Sequence, residues 1–148
     1  MRIQFKNLAE FNRKLAEFSD KVPELHLALQ KKIALELFTR IVLKTPVGNP
    51  DLWQTPIAPP GYVGGRARAN WQIGLNATND SEIPGEDQSG TGTIAAGLSG
   101  LSGARPYGTI WIFNNVPYII RLEEGWSYHQ APAGMVGVAL AEVAAGLI

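Results

Sequence analysis

Residues 46–65, PVGNPDLWQTPIAPPGYVGG, hold five of the chain's ten prolines. Proline lacks an N–H and locks φ, so this segment cannot be the inside of a helix or a sheet. Twenty residues of loop are uncommon in a compact domain and are functional or disordered where they occur; the two aromatics here argue against plain disorder. Trp53 and Tyr62 lie in this loop. A tryptophan among prolines needs a surface to rest on, supplied by its own domain or by a neighbouring subunit.

The loop divides helical sequence from mixed sequence. Upstream, LAEF stands at 8–11 and again at 15–18, one heptad apart, so Leu8, Phe11, Leu15 and Phe18 share a helical stripe. Asn7 is its expected N-cap. Pro23 is expected to break this arm of residues 1–20 from a second helix over 23–44, entering that helix in its first turn. Leu25, Leu29, Ile33, Leu37 and Ile41 recur every four residues along the second helix. Lys32, Glu36, Arg40 and Lys44 form its wet stripe, and Thr45-Pro46 ends it.

Downstream, Trp71, Ile73 and Leu75 alternate with Gln72, Gly74 and Asn76, the pattern of a half-buried strand. Residues 77–92 read as an acidic, turn-rich loop, and 93–103 as a short helix weakened by Gly97 and Gly100. The unbroken apolar run Ile110–Phe113 predicts a strand covered on both faces. A short helix follows, capped by Asn115, with Pro117 in its first turn and Gly125 as its stop. A closing helix over 135–147 places Val136, Leu140, Val143 and Leu147 on one face. Further strands in 46–65 or 103–108 are left open. The order predicts one α+β domain over 1–148: long N-terminal helices and a C-terminal helix packed on a small antiparallel sheet, with extended Pro/Gly-rich loops at 46–65 and 77–92.

Bulk properties narrow the function. The 148 residues contain no cysteine, which excludes disulfides, thiol catalysis and cysteine-held zinc. Net charge is zero, but residues 1–75 carry eleven Lys/Arg against six Asp/Glu, and residues 76–148 carry two against seven. Such a dipole suits head-to-tail packing of copies if the halves occupy different faces. No secretory signal is read in MRIQFKNLAEF. The tail APAGMVGVALAEVAAGLI is too rich in Ala and Gly, and too interrupted by Glu142, for a membrane span.

The densest chemistry lies in RLEEGWSYHQAPAGMV, residues 121–136. A small hydrolase using Glu123 or His129 is one reading. Adjacent glutamates on a helix diverge by about 100°, so Glu123 and Glu124 cannot face each other as an acid/base pair. No GxSxG, HExxH or HxxxH pattern is present, and no catalytic, metal or cofactor residue is assigned. Arg66 and Arg68 before Trp71 invite a nucleic-acid reading, but a neutral chain lacks the basic balance of a tight duplex binder. Their alternative is pairing with Glu123 or Glu124. Assembly is the reading that uses the aromatics: Trp53, Tyr62, Trp71, Trp126 and Tyr128 as intersubunit anchors, with Arg121, Glu123, Glu124, Arg66 and Arg68 setting register at the rim.

The strings TPVG…GGRARANWQ (45–72), TNDSEIPGEDQSGTGTI and IWIFNNVPYIIRLEEGWSYHQAPAGMV (110–136) resemble the neck and tail-completion (head–tail joining) proteins of long-tailed bacteriophages. The resemblance spans about residues 22–143. It departs at Ile119-Ile120, where a small residue is more usual, and at Gly137, where an arginine is common. It implies a non-enzymatic virion protein without cofactors, assembled in the host bacterial cytoplasm into a homo-oligomeric ring, six-fold in the family pattern, at the neck. Its partners are then copies of itself, the head connector or stopper, the tail tube or tail terminator, and genomic DNA passing non-specifically through the lumen, with no membrane. The alternative within the class is a tail-tube terminator ring that caps tail growth.

Overall fold

The structure is a computed structural model that describes residues 7–146. Its first element removes the expected break. Helix α1 runs from Leu8 to Lys44, 37 residues, with Pro23 inside it. Pro23 has no N–H for the carbonyl of Ser19, but that loss is confined to one rung, and the helix continues for about 55 Å in all. Asn7 precedes it in the left-handed region (φ 68°), and its side chain makes no capping bond.

Only the C-terminal part of α1 enters the core. Ala34, Phe38, Ile41 and Val42 are buried, whereas Leu25 and Leu29 of the expected i+4 face are 61% and 52% exposed. Thr45 ends the helix: its hydroxyl donates to the Ile41 carbonyl at 2.7 Å and accepts the Trp71 indole N–H at 2.7 Å. A four-residue helix, α2 (Arg66–Ala69), leads into strand β1 (Trp71–Leu75). Strand β2 (Ile110–Asn114) pairs with it antiparallel, Ile73 opposite Ile112 and Gly74 opposite Trp111. Trp111 is 47% exposed, so β2 is covered on one face rather than both. Among the described residues the sheet has these two strands alone. Segment 46–65 carries a 3-10 turn at Pro50–Leu52, and 103–108 is turn and coil.

Helix α3 (Thr91–Gly100) lies between the strands in sequence and runs into a 3-10 turn at Leu101–Gly103. Gly97 lets α3 sit directly on α1, since a Cβ there would fall 2.3 Å from the Phe38 ring. Helix α4 (Ile119–Glu123) starts later than expected, and Asn115 does not cap it. The Asn115 amide instead donates to the carbonyls of Asn79 and Ser81, both at 2.9 Å. Gly125 (φ 86°) follows α4 as predicted.

Helix α5 (Val136–Gly146) buries Ala139 and Val143, while Leu140 of the expected face is half exposed; Leu147 lies outside the described residues. Phe38, Ile41, Val42, Trp71, Ala131, Met135 and Ala139 form one core, with Ile73 and Ile112 packed against it. Arg40 and Lys44 of the expected wet stripe turn towards α5 and hold Glu142 at 2.8 and 2.7 Å. The result is an α+β domain in which long N-terminal and C-terminal helices pack with a small antiparallel sheet. No described helix is long and apolar enough to cross a membrane.

Candidate functional site

The two segments singled out by sequence meet in space. Loop 46–65 and the corner after α4 line one open cleft of about 620 Å³, with Trp53, Tyr62, Tyr118, Trp126 and Tyr128 on its walls. The loop is built to hold its aromatics. The Asn49 side chain accepts from Asp51 N–H at 3.1 Å and starts the 3-10 turn. Trp53 and Tyr62 then meet edge to face, centroids 5.0 Å apart. Gly64 lets the two ends of the loop touch, because a Cβ would sit 2.2 Å from the Gly48 carbonyl oxygen.

Gln130 joins loop to corner. Its amide donates to the Val47 carbonyl at 2.9 Å, and its oxygen accepts Val47 N–H at 3.0 Å. One side chain thereby satisfies both backbone groups of Val47, as a neighbouring strand would.

The corner rests on Glu123. Its carboxylate accepts the N–H groups of Met135 and Val136 at 2.8 Å each and of Gly137 at 2.9 Å, which caps the start of α5. Burial pushes this carboxyl up, and the three backbone donors outweigh it, holding it below the usual glutamate range. Gly134 (φ 77°) makes the approach possible, since a Cβ would lie 2.3 Å from the Glu123 carbonyl oxygen. Both Glu123 carboxylate oxygens are therefore committed to backbone, in a helix-capping role rather than that of a base waiting for a proton. Arg121 lies over Trp126, 4.9 Å from the ring centroid, and Tyr128 packs on His129 at 4.2 Å. Trp126 and Tyr128 remain 65% and 59% exposed. Glu124 is exposed.

Three expected rim or anchor residues have other work. Trp71 is a core residue, only 6% exposed and bonded to Thr45. Arg68 is a clamp on the end of α1: its guanidinium donates to the carbonyls of Thr45 at 2.7 Å and Leu43 at 3.1 Å, and to that of Gln88. Burial lowers its pKa, and Asp87 acts in the opposite direction. Arg66 pairs with Glu82, so neither arginine reaches Glu123 or Glu124. The Glu82 partnership raises the Arg66 pKa.

Two structural residues escaped the sequence reading. Asp87, within the acidic loop, accepts from the N–H groups of Gly90 and Thr93 and from the hydroxyls of Ser89 and Thr93, at 2.8–3.0 Å. Burial opposes this, yet the donors bring its carboxyl down to about 2. Its signal was an aspartate in a Ser/Gly/Thr run just ahead of an Ala-rich helix. Gln130 left no local signal, because its partner is 83 residues away.

A second surface stands apart from the cleft. Leu8, Phe11, Leu15 and Phe18 on the first turns of α1 are 52–62% exposed. Among the described residues no three Asp, Glu or His side chains gather as a metal-binding cluster. No protein-family model, no curated protein and no solved structure matches the chain.

Proposed function

We propose that the chain is a structural subunit of a bacteriophage neck, a tail-completion protein whose copies form a ring joining the tail tube to the head connector around a DNA channel. The observation that carries this reading is the pair of open apolar surfaces, the aromatic cleft and the N-terminal arm. Exposed patches of this kind mark contact with other protein. The resemblance over residues 22–143 supplies the setting. The commitment of Glu123 to the α5 cap supports a constructional part for the corner rather than acid–base work. The partnerships of Arg66 and Arg68 accord with DNA passing the ring without being gripped by them. Gly137 sits in the first turn of α5 and brings no charge where the family commonly carries an arginine.

The test is electron microscopy of particles made from a phage genome in which this gene carries an early stop codon. The reading expects filled heads and finished tails that remain separate. Tails of uncontrolled length would replace it with the terminator role, and normal infectious particles would refute both.

A further inference from the structure

Because α1 does not break at Pro23, two stripes that look separate in sequence become one. Leu8, Phe11, Leu15, Phe18, Val22, Leu25 and Leu29 follow one another at alternating spacings of three and four along a single helix. That is the a/d repeat of a coiled coil, sustained over three heptads, about 32 Å of seam. Six of the seven side chains are 52–62% exposed, and Val22 is half-buried. Pro23 falls at an outward position and leaves the seam intact. Lys32 and Glu36 take the next two seam positions, so the repeat stops there.

The body docks on a different side of the helix. His26 packs on Tyr107 at 4.8 Å, and the Gln30 amide donates to the Gly108 carbonyl at 2.7 Å, leaving Leu25 and Leu29 open beside them. Outward positions carry Glu10, Arg13, Glu17, Asp20 and Glu24, with Arg13 and Glu17 paired. Helices of this kind draw most of their stability from a packed apolar face.

We infer that the seam is covered by the same seam of a second copy, in parallel and in register. A second copy presents the identical spacing that knobs-into-holes packing needs. Charge selects the direction. Lys14 and Lys21 occupy the g positions and Asn12, Ser19 and His26 the e positions. A parallel pair sets Lys14 against Ser19 and Lys21 against His26 of the other copy. An antiparallel pair sets lysine against lysine. The parallel arrangement also leaves both bodies at the same end of the paired helices, where the two chains can meet side by side. The inference rests on the self-assembly part of the proposed function and not on its place in a virion.

Single-cysteine variants test it, since the chain has no cysteine of its own. In the full-length protein under mild oxidation, Leu15→Cys and Phe18→Cys are expected to form covalent dimers at least about tenfold faster than Asp20→Cys, which faces outward, because like seam positions meet across a parallel pair. Sedimentation equilibrium of Leu15→Glu/Phe18→Glu is expected to show self-association through the arm weakened about a hundredfold or more. At a dilution where the wild type is monomeric, the thermal transition of the body should be unchanged, because neither side chain is buried within its own chain. Equal cross-linking at 18 and 20, or an oligomer that persists without cross-linking at 15 and 18, would overturn the seam and leave the ring reading standing. A wild-type chain that stays monomeric at all concentrations would overturn both.

Discussion

Replacing Glu123 by glutamine keeps the side chain's shape, removes its charge and turns one of its two acceptors into a donor. In the folded protein those acceptors take three N–H groups at 2.8–2.9 Å. A glutamine oxygen can still receive one or two of them, but its NH₂ then points at another N–H. Loss of a helix N-cap costs about 0.5–2 kcal/mol, and hydrogen bonds to a charged group contribute about 1.5–3 kcal/mol each where solvent is excluded. The carboxylate is partly open to water, so screening trims the charge contribution and places Glu123→Gln near 2 kcal/mol, roughly. In a domain of this size that is a fall of about 4–8 °C in Tm. Acid supplies the control. The Glu123 pKa is depressed below its ordinary 4.5, so its stabilisation is fully present above that value. It is lost as pH falls through the folded-state pKa. Urea unfolding of wild type and variant should therefore show the gap at pH 7 and its closure on acidification below 4.5. A gap of the same size at both ends of that range, or none at pH 7, would refute the capping account.

Three further outcomes follow from other contacts. Gly97→Ala puts a methyl 2.3 Å from the Phe38 ring and should destabilise by about 1–3 kcal/mol in thermal melts, with α3 displaced from α1. Gln130→Ala removes both tethers of Val47, so limited proteolysis should cut loop 46–65 faster while the Tm changes little, the loop lying outside the core. Asp87, held down to about 2 from an ordinary 3.8, should keep its stabilising effect above 3.8 and lose it as pH falls towards the folded value; Asp87→Asn should thus be less stable than wild type at pH 4 and approach it only near pH 2 in urea titrations.

Local patterns carried the elements well. The alternation at 71–75 and the apolar run at 110–113 marked both strands, and the spacing after residue 135 marked α5. What the patterns could not convey was which surface covers which. Apolar stripes of helical spacing occur in both the N-terminal and the C-terminal parts of α1, yet Phe38 is buried and Phe18 is open, because the C-terminal turns are the ones that meet α3 and α5. Pro23 reads as a breaker because its intrinsic cost is large; one missing rung is tolerated when both flanks are good helix. The candidate site was half legible. Loop 46–65 and corner 121–136 were picked out and do meet in one cleft. Within them, the tasks of Glu123, Arg68 and Trp71 depend on partners 12–26 residues away that spacing does not reveal.

The claim on which the account turns is that the arm and the cleft are faces for other copies of the chain. Hydroxyl-radical footprinting of the purified protein across a dilution series measures this residue by residue. With rising concentration, Phe11, Phe18, Trp126 and Tyr128 should lose reactivity, while the core residue Trp71 stays unreactive throughout. Constant reactivity of those four side chains at every concentration would contradict the account.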